Sequence, residues 1–96
     1  MYFLITCEDR ADVLDRRTAR RPDHLAYWEG LGDALKLAGP RLAGDNPCGS
    51  FFIVDAADMA AAQAMIDGDP FTSDVIFETI EISPVRLTLG SCKPAE

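Results

Sequence analysis

Cysteine is scarce in this chain, and so is histidine. The three cysteines, Cys7, Cys48 and Cys92, are odd in number and far apart with no CxxC pair, which excludes a disulfide framework and a cysteine zinc site. One histidine, His24, leaves too few ligands for a structural metal, and neither a glycine-rich phosphate loop nor a nucleophile elbow is present. No cofactor is implied. No apolar run approaches the roughly 20 residues of a membrane span, and the opening Met1 to Cys7 has no basic leader. These absences predict a cytoplasmic protein with no membrane contact. Basic residues are few, with a net charge of −7, and they gather at Arg10, Arg16, Arg17, Arg20 and Arg21. A nucleic-acid backbone calls for a broad basic surface, so no nucleic-acid partner is expected. The arginine cluster admits two readings, a site for one small anion or a solvated helix start paired with Asp12 or Asp15.

What is present is enough apolar material, 48% of 96 residues, for one folded domain over residues 1–96. Tyr2 to Cys7 reads as a strand with both faces apolar. Pro22, suited to a first helical turn, predicts the main helix over about Arg21 to Leu37, with His24, Trp28, Leu31 and Leu35 on its inner arc. Tyr27 falls at the margin of that arc. Gly30 and Gly32 would weaken this helix, leaving it dependent on packing. Leu37 to Ala43, holding Pro40, suits a short edge strand, and the turn formers of 44–49 return the chain into a strand over Ser50 to Val54. Asp55 is expected to cap a helix over Ala56 to Asp67 that stops at Gly68. Asp74 to Ile82 reads as the last long strand, Val85 to Leu89 as its continuation or a short addition, and residues 90–96 as a loose tail.

The order strand, helix, strand, strand, helix, strand predicts a ferredoxin-like α+β sandwich with two helices on one face of an antiparallel sheet. Tyr2-Phe3-Leu4-Ile5, Phe51-Phe52-Ile53-Val54 and Val75-Ile76-Phe77 are apolar on both faces, where a sheet face open to water would alternate. A homodimer packed through the second sheet face is therefore expected.

Chemistry is sought at His24 and at Asp67-Gly68-Asp69-Pro70-Phe71. Near a helix N-terminus the helix field favours a neutral imidazole, the form a general base needs. Pro70 disfavours the α region at Asp69 and holds it extended, so that its carboxylate can be aimed. Helices lying antiparallel on one sheet face would let Asp69 reach His24, fix its tautomer and leave the other ring nitrogen to exchange a proton. Arg17 and Arg21 could hold a carboxylate or phenolate, with Ser50 as a further donor. Cys7 and Cys48 read either as nucleophiles beside a base or as small hydrophobes.

Arg17, Arg21-Pro22-Asp23-His24-Leu25, Leu37-Ala38-Gly39-Pro40, Gly49-Ser50 and Asp69-Pro70-Phe71 together resemble the YciI-like family, also called the YCII-related or DGPF group. The resemblance spans nearly the whole chain. It implies a dimeric ferredoxin-like α/β fold and a His/Asp pair at His24 and Asp69; a related dehydrochlorinase acts on a chlorinated hydroxyquinol. Two departures from that pattern stand out: Val75, where many relatives would carry glycine, and Gly30 with Gly32, which loosen the main helix. Three functions are open on these grounds: a cofactor-independent enzyme acting on a small anionic or aromatic molecule by elimination, isomerisation or hydrolysis, a non-catalytic small-molecule-binding module, or a purely stabilising His24–Asp69 contact.

Overall fold

The structure, a computed structural model, describes residues 1–93. β1 (Tyr2–Asp9) leads into α1 (Leu14–Gly30), a 3-10 turn (Gly32–Ala34), β2 (Leu35–Ala43), β3 (Asn46–Asp55), α2 (Met59–Asp67), the one-turn α3 (Pro70–Ser73) and β4 (Phe77–Val85). The four strands form one antiparallel sheet in the order β2-β3-β1-β4. This is the ferredoxin-like α+β sandwich expected from the sequence, with the two hydrophobic middle strands at its centre.

Strand parity divides the chain between two faces. Phe3, Ile5 and Cys7 of β1 and Phe52 and Val54 of β3 point inward, where they meet Trp28 of α1, Ala62 and Ile66 of α2, and Phe71 of α3. All are nearly sealed from solvent. Burying each of the larger side chains contributes roughly 1.5–3 kcal/mol, so this layer dominates the stability. The opposite parity, Tyr2, Leu4, Phe51 and Ile53, forms a half-buried apolar surface on the other side of the sheet. Leu87 and Leu89 lie across one end of it, beside Leu37 and Ile53. No helix among the described residues is long and apolar enough to cross a membrane.

Several expected boundaries are corrected. The main helix starts at Leu14, seven residues before the expected Arg21, and β2 already begins at Leu35. Its start carries little signal, because Val13 at the N-cap offers no side-chain cap and only Asp15 marks the first turn. Pro22 lies inside the helix. Lacking an N–H, it releases the Thr18 carbonyl, but both residues are exposed, so water can replace the missing bond. Gly30 and Gly32 end the helix instead of loosening it: Gly32 turns the chain at φ +59°, a conformation that favours glycine. The cap of α2 is Asp58, which accepts from the Ala61 N–H at 2.8 Å, whereas Asp55 stays in β3 and pairs with the terminal amine of Met1. The last strand among the described residues is Phe77–Val85, with Pro84 opposite Phe3, and none of those residues forms a strand after it. Of the expected tail, Gly90–Lys93 forms a turn and 94–96 lie outside the described residues.

Val75 explains its own oddity. It sits at φ +57°, immediately after α3, with its N–H bonded to the Thr72 carbonyl and the Ile76 N–H bonded to the Phe71 carbonyl. This pair of bonds is the Schellman arrangement, whose left-handed position favours glycine and strains a β-branched residue. Val75→Gly is expected to raise stability by about 1 kcal/mol, the relief of strain exceeding the added unfolded-state entropy. An unchanged or lower urea midpoint would show that Val75 is unstrained.

Candidate active site

Asp69 is placed by the turn that Pro70 enforces. It adopts an extended conformation (φ −66°, ψ 130°), caps α3, and accepts the Phe71 N–H at 2.9 Å. Asp69 both follows the stop of α2 and begins α3, and the cap fixes its carboxylate. Gly68 has an ordinary φ of −80°, so its lack of a side chain answers to contact and not to backbone freedom. The Tyr27 ring lies directly against it, where a Cβ would overlap, while the Tyr27 hydroxyl donates to the Met65 carbonyl. Tyr27 thereby clamps α1 to the end of α2, one residue before Asp69. Burial, with Asp69 and Asp67 adding to it, pushes the phenol's pKa up and keeps it a donor.

The structure brings His24 and Asp69 together. His24 Nδ1 lies 2.9 Å from each carboxylate oxygen of the fully buried Asp69, and Trp28 Nε1 donates to Oδ2 at 2.8 Å. A carboxylate has no hydrogen to give, so the proton of the His24 bond sits on Nδ1. In the neutral ring Nε2 then carries the free lone pair. Among the described residues Nε2 has no protein partner, and it is not sealed from solvent. Phe71 stacks on the imidazole with centroids 4.0 Å apart and planes 8° apart, and the side chain is 13% exposed.

That ring forms part of the wall of a cleft of about 350 Å³ between α1 and the β2–β3 side of the sheet. Trp28, Phe52, Leu35 and Pro40 supply apolar walls, Ser50 and His24 supply polar atoms, and Arg17, Arg21 and Glu29 supply charge. Arg21 is exposed, with no ion pair among the described residues. Arg17 is different. Only 6% exposed, it gives Nη1 to both oxygens of Asp9 at 2.9 and 3.0 Å, and Nη2 to the Gly49 carbonyl at 3.0 Å and Ser50 Oγ at 2.8 Å. Burial raises the pKa of Asp9, with the Arg17 guanidinium pulling it back.

All five expected site residues line the cleft or touch a residue that does, while Tyr27 faces elsewhere. Of the cysteines, Cys7 is sealed beneath the sheet and its thiol is pushed up to about 12, first by burial and then by Asp69 and Asp9, which leaves it inert as a nucleophile. Asp9 and Trp28 were missed as partners. Both had a signal: Asp9 continues the inward parity of Phe3, Ile5 and Cys7, and Trp28 sits one helical turn beyond His24 on the same face. No cluster of His, Cys, Asp and Glu among the described residues could hold a metal ion.

Comparison with known proteins agrees with this architecture. The family model for the YCII-related domain matches residues 1–86. Protein YciI of Escherichia coli O6:H1 is 34% identical over 95 residues, covering 90% of this chain and 97% of that one. An uncharacterized protein of Haemophilus influenzae is 30% identical over the same shares. Among solved structures, 5-chloro-2-hydroxyhydroquinone dehydrochlorinase from Burkholderia phenoliruptrix, in complex with 2,5-dihydroxybenzoquinone, aligns with a TM-score of 0.87 at 29% identity, over 92% of this chain and 96% of that one. An antibiotic biosynthesis monooxygenase shares the fold alone, with a TM-score of 0.55 at 10% identity over 88% and 98% of the two chains. With the matched domain covering most of its length and with curated relatives above 30% identity, the chain belongs to the YCII-related family.

Proposed function

We propose that this protein is a cofactor-independent enzyme in which His24, oriented by Asp69, moves a proton at Nε2 on a small anionic or aromatic molecule held in the cleft. One observation carries the reading: a ring nitrogen without a protein partner among the described residues lines an open cleft while the other is locked onto a sealed carboxylate. Neutral Nε2 accepts a proton, and Asp69 stabilises the imidazolium that results. In an elimination, the electron pair released by that proton forms the new double bond and the leaving group departs with its own pair. The structural likeness to a dehydrochlorinase supports elimination over isomerisation or hydrolysis. Arg21 at the cleft mouth suits the anionic end of the molecule, the Ser50 hydroxyl adds a donor, and the Trp28 and Phe52 walls suit an aromatic ring.

The direct test offers 5-chloro-2-hydroxyhydroquinone and related chlorinated phenols to wild type and to His24→Ala, following chloride release. Turnover is expected to fall by about 10²- to 10⁴-fold in the variant. Equal rates in the two proteins would remove His24 from the chemistry. Binding of 2,5-dihydroxybenzoquinone with no turnover of any member of the series would assign the cleft a holding role.

A second copy of the chain suits the outer sheet face, where Tyr2, Leu4, Phe51 and Ile53 lie half-buried beside Leu37, which is 43% exposed. Such a patch is larger than scattered surface residues require, and the homodimer it supports is expected to persist at micromolar concentration in light scattering. A monomer there would remove the assignment. The three free thiols suit a reducing compartment such as the cytoplasm.

A further inference from the structure

Arg17 and His24 are seven residues apart on α1, two turns, so their Cα atoms are separated by about 10.5 Å along the axis on nearly the same face. The Phe71 ring touches both side chains. Its centroid lies 4.7 Å from Arg17 Cζ, which sits over the ring, and 4.0 Å from the His24 centroid, whose plane is 8° from its own. The Phe71 ring thus meets both a cation and the imidazole. The guanidinium itself cannot drift, because Asp9 takes Nη1 in a fork while Gly49 and Ser50 take Nη2. The bond to Ser50 has a second effect. Ser50 Oγ is the acceptor there, so its own O–H, which donates to no group among the described residues, is free to point at a ligand.

We propose that Arg17 is a positioning residue, not a ligand contact: through Phe71 it holds the plane of His24, and through Oγ it orients the Ser50 hydroxyl into the cleft. The proposal rests on the acid/base reading of His24 for its functional meaning. Its structural content is tested separately. Lysine in place of Arg17 keeps the charge on Asp9 but loses the planar fork and the flat contact with the ring.

His24 is the only histidine, so its two carbon-bound ring protons are identifiable by NMR without ambiguity. Stacking on Phe71 gives them an upfield ring-current shift in the wild type. In Arg17→Lys that shift is expected to be largely lost in a protein that remains folded, and in Arg21→Gln to be retained. If Arg17→Lys does not fold, the charge-free double variant Asp9→Leu/Arg17→Met is measured in its place, with the same loss expected. A wild-type shift in whichever variant is folded overturns the proposal. So does weakened binding of 2,5-dihydroxybenzoquinone by Arg17→Lys with the shift intact, since Arg17 would then touch the ligand. Undiminished turnover in His24→Ala would instead sink the acid/base reading and leave the shift measurement standing.

Discussion

Asp69→Ala is expected to lower the unfolding free energy by about 3–5 kcal/mol, a loss large enough to move the melting temperature by more than about 10 °C in a chain of this size. The carboxylate serves three donors at once: His24 Nδ1, Trp28 Nε1 and the Phe71 N–H. Each would be left without a partner, Trp28 and the Phe71 N–H in buried positions and His24 at the wall of the cleft, at about 1–3 kcal/mol apiece before relaxation, and a water admitted to the gap recovers part of that. Asp69→Asn is expected to fold better and still lose turnover. Its amide presents a donor where the native group only accepts, so one of the three bonds becomes a clash of donors and the His24 tautomer is no longer imposed. Thermal melts of both variants decide the first point. A melting temperature within about 2 °C of wild type for Asp69→Ala would mean the three donors are satisfied elsewhere.

Asp9→Ala carries the second large effect, again about 3–5 kcal/mol, because it leaves the Arg17 guanidinium buried without its counter-charge. Asp9→Leu/Arg17→Met removes both charges and is expected to recover most of that loss, since the cost lies in the orphaned ion and not in the absence of the pair. Urea titrations of the single and double variants give the comparison. Equal destabilisation of the two would show that packing at Arg17, not its charge, is what matters. Acid adds a signed expectation. Burial raises the Asp9 pKa above its usual 3.8, so just above that pH the folded chain binds more protons here than the unfolded chain does. The contribution of Asp9 therefore makes stability fall as pH rises through that window, and Asp9→Asn is expected to lack this slope.

β1 and β3 were legible because their apolar runs are short, β-branched and bounded by turn formers. The pair His24 and Asp69 was legible because Pro70 constrains its neighbour locally and the family resemblance points to the same residues. Where the reading failed, the determining interaction was not local. Helix α1 begins at Leu14 behind Val13, which offers no side-chain cap, and what holds its first turns is Arg17 reaching Asp9 and Gly49 of the sheet. Pro22, a start signal in most sequences, is here an exposed interior residue that the helix tolerates. Arg17 was placed in the cleft for its charge, while its role depends on Ser50 and Gly49, more than thirty positions later. Asp9 lies beyond the strand expected over Tyr2 to Cys7, although its place in the inward parity marks it for burial.

Trp28 is the only tryptophan in the chain, and it lies where the protein can observe itself. Its indole donates to Asp69 and stacks on Phe52 at 4.4 Å, so it touches both the candidate pair and the wall of the cleft. The intrinsic fluorescence of the protein is therefore a single-site signal, without background from other indoles. A molecule entering the cleft would be seen as quenching or a spectral shift before its chemistry is known, which turns the search for a substrate into an optical titration of the unmodified protein.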